Sequence, residues 1–267
     1  MKDILSEIIA HKKAEVSRQK EETPFSALEK RLTERPISFH SLKAALEHSS
    51  TGIIAEFKRR SPSKGWINQT ADAGIVTKAY ETAGAAALSV LTDEAFFGGS
   101  LADLQKATQT VHIPVMRKEF IIDEYQLFEA KLAGASAVLL IAAAITKEES
   151  KRFTKLAHDL QLDVLLELHD EREADYITPL NTLIGINNRN LGSFVTDIQK
   201  SFRMAELLPS EAVWVSESGI SDPEIVRELR DAGYRGFLIG ENFMKTPDPG
   251  GSLRRFLHLS VSRLAGL

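Results

Sequence analysis

Residues 53–91 read IIAEFKRRSPSKGWINQTADAGIVTKAYETAGAAALSVL. The stretch opens on an apolar run typical of a buried strand, continues through the helical pattern ADAGIVTKAYETAG, and ends in a second apolar run. A strand, a helix and another strand in this order predict two parallel strands joined by a helical crossover. The stretch therefore indicates an α/β protein.

The same alternation repeats along the rest of the chain. Apolar runs recur at 53–57, 86–91, 114–117, 136–142, 163–168, 182–187, 212–217 and 236–240, with helical patterns between them. Three of those patterns end in Ala-Gly, which puts glycine where a helix C-terminus often needs a positive φ. Spacing alone leaves an open doubly wound sheet possible. Eight units in about 215 residues nevertheless favour closure into a (β/α)8 TIM barrel.

Residues 1–48 lack this alternation. Apolar side chains at helical spacing, with charged residues on the opposite face, occur at Ile4, Leu5, Ile8, Ile9 and Val16. A second helical stretch, SFHSLKAALEH, follows Pro36. The segment is too short to bury a core of its own. We therefore expect residues 1–48 to be an N-terminal helical extension of the same domain, and 49–267 to be the barrel.

The composition excludes several functional classes. With 33 Lys and Arg against 37 Asp and Glu, the net charge of -4 provides no general attraction for nucleic acid or an anionic membrane. The chain has no cysteine, which excludes disulfides, thiolate metal sites and a thiol nucleophile and fits a reducing compartment. The start of the chain has no signal-peptide core, and the longest apolar run, AVLLIAAAI, is too short to span a bilayer. We expect a cytoplasmic protein.

Polar side chains stand at the predicted carboxyl ends of several strands, where barrels carry their chemistry. These residues are Glu56, Lys58, Lys118, Glu167, Asn187, Arg189, Glu217 and Ser218. Glu56 and Lys58 are two positions apart, so their side chains point to the same side of the strand. A lone lysine or glutamate of this kind is usually a surface or ion-pair residue. So many on one rim predict a functional site.

Small residues on the same rim suggest the kind of ligand. Glycine lets backbone amides approach an anion closely, and barrels often bind phosphate with the loops after strands seven and eight. Gly219, Gly240 and Ser61 therefore favour a phosphate-ester substrate. The FFGG at 96–99 adds phenylalanines that could pack an aromatic ring, although such a pair is more often part of a core.

Six motifs carry a resemblance to a known family. EFKRRSPSKG, LTDEAFFGGS, MRKEFIID, ELHD, GINNRNL and SESGI, in this order, resemble the indole-3-glycerol phosphate synthase family of tryptophan biosynthesis. ILSEIIAHKKAEV is similar to that family's opening helix, and the similarity covers nearly the whole chain. The resemblance implies a TIM barrel whose N-terminal extension helps cover the active-site mouth. It also implies a carboxy-lyase that closes an indole ring on 1-(2-carboxyphenylamino)-1-deoxyribulose 5-phosphate, without a cofactor or metal ion.

The resemblance also implies residue roles. Lys118 would be the general acid and Glu167 the general base, with Lys58 a second catalytic lysine held by Glu56. Asn187 and Ser218 match further catalytic positions, and Arg189 would reach the carboxylate of the anthranilate ring. Phe97, Phe120 and Leu139 would pack that ring. The phosphate would be held by Ser61, Gly219 and the backbone at Gly240 and Glu241.

Two positions depart from the family's commonest pattern. Asn190 and Glu119 stand where aspartate is frequent. Both flank the site, so we expect them to change contacts around the catalytic residues and not the reaction.

One alternative is phosphoribosylanthranilate isomerase, which uses a cysteine that this chain lacks. Another is a noncatalytic barrel that binds a sugar phosphate or a protein. The sequence leaves the oligomeric state open, with a monomer expected.

Overall fold

The barrel predicted from the sequence is present. The structure, a computed structural model, describes residues 4–34, 39–190 and 192–262, with side chains described as far as residue 259. Its closed sheet consists of β1 (Ile53–Phe57), β2 (Ala87–Leu91), β3 (Val115–Lys118), β4 (Ala137–Ile141), β5 (Asp163–Leu168), β6 (Leu183–Asn187), β7 (Val213–Glu217) and β8 (Gly236–Ile239). Each strand pairs in parallel with its neighbours in the chain, and β8 pairs with β1. This is a TIM barrel.

Helices connect the strands and pack outside them. They are α4 (Ala73–Ala83), α5 (Leu101–Thr110), α6 (Tyr125–Leu132), α7 (Lys147–Asp159), α8 (Gln199–Met204) and α9 (Pro223–Asp231), with α10 (Glu241–Met244) and α11 (Pro249–Ser262) after β8. The predicted C-terminal glycines Gly84, Gly134 and Gly233 all have positive φ.

The connection between β5 and β6 differs from the predicted helical crossover. It contains a 3₁₀ helix, Glu171–Tyr176, in place of an α-helix. Thr178 precedes Pro179, a position that disfavours the α-helical conformation, and Asn181 Oδ1 accepts hydrogen bonds from the Thr178 backbone and hydroxyl. The loop after β1 also forms an antiparallel hairpin of two short strands, Arg60–Ser61 and Gly65–Trp66, which the sequence did not predict.

Strand alternation divides the buried side chains into two clusters. The inward side chains of the strands form a cluster that includes Ile54, Ala87, Met116, Leu139, Leu165, Leu183, Val215 and Leu238. The outward side chains pack against the helices in a second, larger cluster. Because side chains two positions apart share a face, the residues two places beyond Ile54, Met116, Leu165 and Val215 also face inward. Those residues are Glu56, Lys118, Glu167 and Glu217, which puts four charged groups at the carboxyl end of the barrel interior.

The N-terminal extension contacts both ends of the barrel. α1 (Ile4–Glu22) adds Leu5 and Ile8 to the interior cluster, and α3 (Leu42–His48) adds Leu42 and Leu46. Asp163, at the start of β5, accepts hydrogen bonds from Ser41 and from the Lys43 amide, which fixes α3 at the amino end of the barrel.

A further helix of the extension, α2 (Phe25–Glu34), was not predicted from the sequence. It packs Leu28 against Tyr125 and Phe128 of α6. The predicted domain limits, 1–48 and 49–267, include residues 1–3, 35–38, 191 and 263–267, which lie outside the described residues.

Candidate active site

Two adjoining cavities open at the carboxyl ends of the strands, and together they contain all the site residues predicted from the sequence. The first is lined, among others, by Glu56, Lys58, Ser61, Phe97, Lys118, Phe120, Leu139, Glu167, Asn187, Arg189 and Ser218. The second is lined by Gly219, Gly240 and Glu241, and it shares Glu56, Lys58, Arg189 and Ser218 with the first. Ser61, predicted to help hold a phosphate, lies in the wall of the first cavity and not with Gly219.

Lys118 joins three strands across the barrel. Its Nζ donates hydrogen bonds to Oε2 of Glu167 at 2.8 Å and to Oε2 of Glu217 at 2.7 Å. Both carboxyl groups are almost fully buried, whereas the Lys118 side chain is 14% exposed and lines the first cavity. On the far side of Glu167, His169 Nε2 lies 3.1 Å from Oε1. An ammonium and two carboxyl groups therefore meet at the inner wall of the cavity.

The three groups have different protonation preferences. Burial opposes the charge of Lys118, but Glu167 and Glu217 outweigh it and raise the pKa of Lys118. Burial likewise opposes the charge of Glu167, yet Lys118 and His169 hold the pKa of Glu167 well below its usual range. For Glu217, burial, reinforced by the charge of Glu167, outweighs Lys118 and raises the pKa to about 8. The surroundings thus favour the charged forms of Lys118 and Glu167 and the protonated form of Glu217.

Glu56 and Lys58 form the ion pair that strand alternation predicts. Lys58 Nζ donates to Glu56 Oε1 at 2.6 Å, and Ser89 Oγ donates to Oε2 of the same carboxylate at 3.3 Å. Glu56 is buried, with 3% of its surface exposed, while Lys58 lines both cavities. The carboxylate therefore fixes the ammonium of Lys58 between the two cavities.

Arg189 lies where β6 meets the hairpin after β1. Its Nη1 donates to Oγ of Ser63 at 3.2 Å, and its Nη2 lies 3.5 Å from Oε2 of Glu241. The Asn187 side chain accepts a hydrogen bond from the Arg189 amide at 3.0 Å, which orients the start of this loop. A second cation is thus held at the boundary of the two cavities.

The first cavity also has an apolar wall. The rings of Phe97 and Phe120 lie 5.9 Å apart at an angle of 38°, and Leu139 lines the cavity with them. Ile4 and Ile8 of α1 complete this wall. An aromatic ligand ring can therefore pack in the same cavity that contains the Lys118 cluster.

Gly219 and Gly240 of the second cavity are required by backbone conformation and packing, which the sequence did not suggest. Gly219 has a φ of 80°, and a Cβ there would lie 2.4 Å from Cγ2 of Thr196. A Cβ on Gly240 would lie 2.6 Å from Oε1 of Glu56. Chain conformation and packing thus require glycine at both positions, whether or not an anion binds. The cavity itself is lined by the cations Lys58, Arg189 and Lys245.

Several residues of the site were missed or left without a role. Glu217 was located at a strand end but given no function, although its alternation with Val215 predicts that it faces inward. Phe194 lines the first cavity from a loop with no periodic signal. Asn190, one of the two departures from the family pattern, organises that loop by accepting hydrogen bonds from the amides of Gly192 and Ser193.

Two negative findings apply to residues 4–34, 39–190 and 192–262. No group of three or more histidine, aspartate or glutamate side chains there is arranged to hold a metal ion. No helix of that part of the chain combines the length and apolarity needed to cross a bilayer.

Comparison with known proteins gives a consistent family. The model of the family described as indole-3-glycerol phosphate synthase matches residues 5–256. An indole-3-glycerol phosphate synthase from Bacteroides thetaiotaomicron is 58% identical over 257 residues, covering 96% of this chain and 98% of the relative. Another, from Burkholderia vietnamiensis, is 42% identical, covering 96% of this chain and 99% of the relative.

Solved structures resemble the chain at the level of the fold. A chain from the tryptophan synthase complex of Pyrococcus furiosus superposes with a TM-score of 0.58 at 13% identity, covering 80% of this chain and 99% of that chain. Thiamine phosphate pyrophosphorylase from the same organism gives a TM-score of 0.59 at 14% identity, covering 80% and 97%.

Proposed function

The chain belongs to the indole-3-glycerol phosphate synthase family, and we propose that Lys118 and Glu167 move the protons of that family's reaction. The enzyme is a carboxy-lyase of tryptophan biosynthesis. It converts 1-(2-carboxyphenylamino)-1-deoxyribulose 5-phosphate to indole-3-glycerol phosphate, with loss of carbon dioxide and water. The observation that supports the assignment most strongly is the Lys118 ammonium, held 2.8 Å from Glu167 in the cavity wall.

Lys118 is suited to stabilise and then protonate the carbonyl oxygen of the substrate. Ring closure joins an aromatic carbon to the carbonyl carbon, so negative charge develops on the carbonyl oxygen. The pKa of Lys118 is raised, so its ammonium is charged at neutral pH and can stabilise that oxygen by a charged hydrogen bond. Lys118 gives this oxygen one proton, which makes it a hydroxyl group. After carbon dioxide has left, the lysine, reprotonated from solvent through the cavity, gives a second proton and the hydroxyl group departs as water.

Glu167 is suited to remove the proton that leaves the substrate during the loss of water. Elimination of water requires a proton to leave the substrate as the hydroxyl group departs. The pKa of Glu167 is held well below its usual range, so the group is an ionised carboxylate that can accept this proton. Its hydrogen bond to Lys118 keeps acid and base on adjacent positions of one cavity.

Glu217 completes the pair of carboxyl groups around Lys118. Its pKa of about 8 keeps it protonated at neutral pH, while Glu167 is ionised. Two titratable groups whose environments separate their pKa values in this way can take different roles in one site. We assign to Glu217 the role of orienting Lys118 without adding a second negative charge.

Each cavity suits one end of the proposed substrate, the anthranilate ring or the phosphate. The anthranilate ring packs against Phe97, Phe120 and Leu139 in the first cavity. The phosphate lies in the second, near Gly240 and Glu241 at the start of α10. Lys58 and Arg189 line both cavities, so each can reach the ring carboxylate or the phosphate. The proposed phosphate contacts are therefore Gly219 and the backbone at Gly240 and Glu241, and Ser61 would approach the phosphate from the first cavity.

The activity is tested by incubating purified enzyme with the carboxyphenylamino substrate and following indole fluorescence. We expect the fluorescence to rise with the wild-type enzyme and to remain near the baseline with Lys118→Ala. Folded wild-type protein that gives no rise would favour the alternative of a noncatalytic barrel.

The proposal also covers the enzyme's oligomeric state, the joint action of its two segments and its cellular location. The expected monomer remains a proposal, and light scattering of the purified enzyme checks its mass. Because Ile4 and Ile8 line the first cavity, residues 1–48 act with 49–267 as one catalytic unit. The reaction belongs to amino-acid biosynthesis, so we place the enzyme in the cytoplasm, as its fractionation would show.

A further inference from the structure

A second lysine is buried among carboxylates, outside the site described above. Lys12 of α1 falls among the charged positions of the helix, yet only 1% of its surface is exposed. Its Nζ lies 3.0 Å from Glu15 of the same helix, and 3.1 Å from both Asp93 and Glu119 of the barrel. Burial opposes the charge of Lys12, but these carboxylates outweigh it and raise the pKa of Lys12. The ammonium therefore ties α1 to the barrel by charge.

The two barrel carboxylates also hold the backbone of the aromatic wall. Asp93 Oδ1 accepts hydrogen bonds from the amides of Phe96 at 2.8 Å and Phe97 at 3.2 Å. Glu119 Oε1 accepts from the amide of Phe120 at 2.9 Å, while its other oxygen accepts from Thr92 at 2.6 Å. The amides of Phe97 and Phe120, whose rings contact each other in the cavity wall, are thus bonded to carboxylates that contact Lys12.

We propose that Lys12 is a positioning residue, which couples the docking of α1 to the placement of Phe97 and Phe120. Asp93 is fully buried and Glu119 has 2% of its surface exposed. Without the ammonium, Asp93 would lose its ion pair and, among the described residues, Glu119 would keep only the longer ionic contact with Arg117, at 3.7 Å, so the two buried carboxylates would have to separate, take up protons or admit water. Each response changes the hydrogen bonds that hold Phe97 and Phe120. The inference rests on the proposed packing of the substrate ring against these two residues.

The alternative is that Lys12 only fastens the helix, and α1 provides a matched control. Lys20, two turns further along, pairs with Asp123 at 2.6 Å, but both side chains are about a third or more exposed. This pair also joins α1 to the barrel without touching the aromatic wall. Lys20→Met therefore removes a link of the same kind, but the Asp123 carboxylate accepts from the amide of Tyr125 and not from that of Phe97 or Phe120.

The test measures steady-state kinetics of Lys12→Met and Lys20→Met well below their melting temperatures. We expect Lys12→Met to lower kcat/KM about 10- to 100-fold, because small displacements of groups that orient a substrate have effects of this size. Most of the loss should be a rise in KM, since the ring contacts act on binding and the acid–base groups are intact. Lys20→Met should leave both constants near wild type. A KM unchanged in folded Lys12→Met, or an equal rise in Lys20→Met, would overturn the proposal.

Two further variants keep the outcome interpretable. Phe97→Ala must itself raise KM; if it does not, the proposed placement of the substrate ring is wrong. If Phe97→Ala raises KM and Lys12→Met does not, the ring placement stands and the coupling fails. Should Lys12→Met not fold, Asp93→Asn takes its place, because it keeps an acceptor for the Phe96 and Phe97 amides while removing the charge that Lys12 contacts. A KM rise in Asp93→Asn supports the coupling, and an unchanged KM contradicts it.

Discussion

Two buried lysines, Lys12 and Lys118, invite comparison because each is surrounded by carboxylates from other elements and each has a raised pKa. Lys12 is 1% exposed, and the barrel carboxylates around it are also bonded to backbone amides or a hydroxyl. Lys118 is 14% exposed and lines a cavity. Each cluster has one buried carboxyl oxygen without a hydrogen-bond partner among the described residues, Oδ2 of Asp93 and Oε1 of Glu217, but the Asp93 oxygen lies 3.1 Å from the Lys12 ammonium.

The difference shows what distinguishes a structural ion cluster from a reactive one. Around Lys12, the ammonium contacts carboxylates that are themselves bonded to the amides of Phe96, Phe97 and Phe120, so the cluster can transmit position to the aromatic wall. Around Lys118, one carboxyl group is ionised and the other protonated, and the ammonium meets a space that a substrate can enter. Burial and charge alone would not separate the two lysines.

The largest effect is expected for Lys118→Ala. A positioned general acid contributes about 10²- to 10⁴-fold to the rate, so kcat should fall by that factor. Glu167→Gln should give a loss of the same order, because glutamine cannot accept the proton. Circular dichroism should show a folded barrel for both variants. Near-normal kcat in folded Lys118→Ala would remove the distinction between the two lysines.

Glu56→Gln tests whether the ion pair with Lys58 belongs with the reactive or the structural cluster. If Glu56 orients Lys58 for the reaction, activity should fall about 10²-fold with little change in stability. If it only neutralises a buried charge, its loss should cost about 3–5 kcal/mol of unfolding free energy. We expect the first result. A large fall in melting temperature with kcat/KM intact would assign Glu56 to the fold.

Ser221 offers a test of the phosphate position with a matched pair of substitutions. It lines the second cavity, where Gly219→Val would confound the result by colliding with Thr196. Ser221→Asp places a negative charge beside the proposed phosphate and should raise KM about tenfold or more, since like charges in close contact are costly. Ser221→Asn has the same size without the charge and should change KM little. Equal effects of both would place the phosphate elsewhere.

The smallest effect is expected for Glu217→Gln, and its signature is a pH profile. Because the pKa of Glu217 is about 8, the group is neutral below that pH and gains a negative charge above it. Wild-type kcat should therefore decline as the pH rises through about 8. Glutamine imitates the protonated form, so kcat near pH 7 should stay within a few-fold of wild type and that decline should be lost. A Glu217→Gln enzyme as inactive as Glu167→Gln would contradict the assignment.

The sequence predicted the barrel and most of its rim for a local physical reason. Alternation along each strand fixes which side chains face inward, so Glu56 and Lys58 were expected to share a cavity, and they form the predicted pair. The same rule was available for Glu217, but its role depends on Lys118 reaching across from another strand. No pattern within β7 encodes that distance.

Features that depend on contacts between distant segments escaped prediction. Helical periodicity placed Lys12 among the charged residues of α1, whereas its burial arises from Asp93 and Glu119, more than 80 residues away. Gly240 was interpreted as an anion contact, but the packing of Glu56 against it requires glycine in any case. In both examples the deciding neighbour comes from a separate strand or helix.

The most direct test of the comparison is the single-turnover rate of Lys118→Met and Lys12→Met with saturating enzyme, which removes binding from the measurement. The same substitution at both lysines removes a buried ammonium and keeps a similar chain length. We predict that Lys118→Met loses about 10²-fold or more in the rate, as expected for a missing general acid. Lys12→Met should stay within about threefold of wild type, because its effect is on binding. Equal losses in the two variants, or a greater loss in Lys12→Met, would contradict the division between a reactive and a positioning cluster.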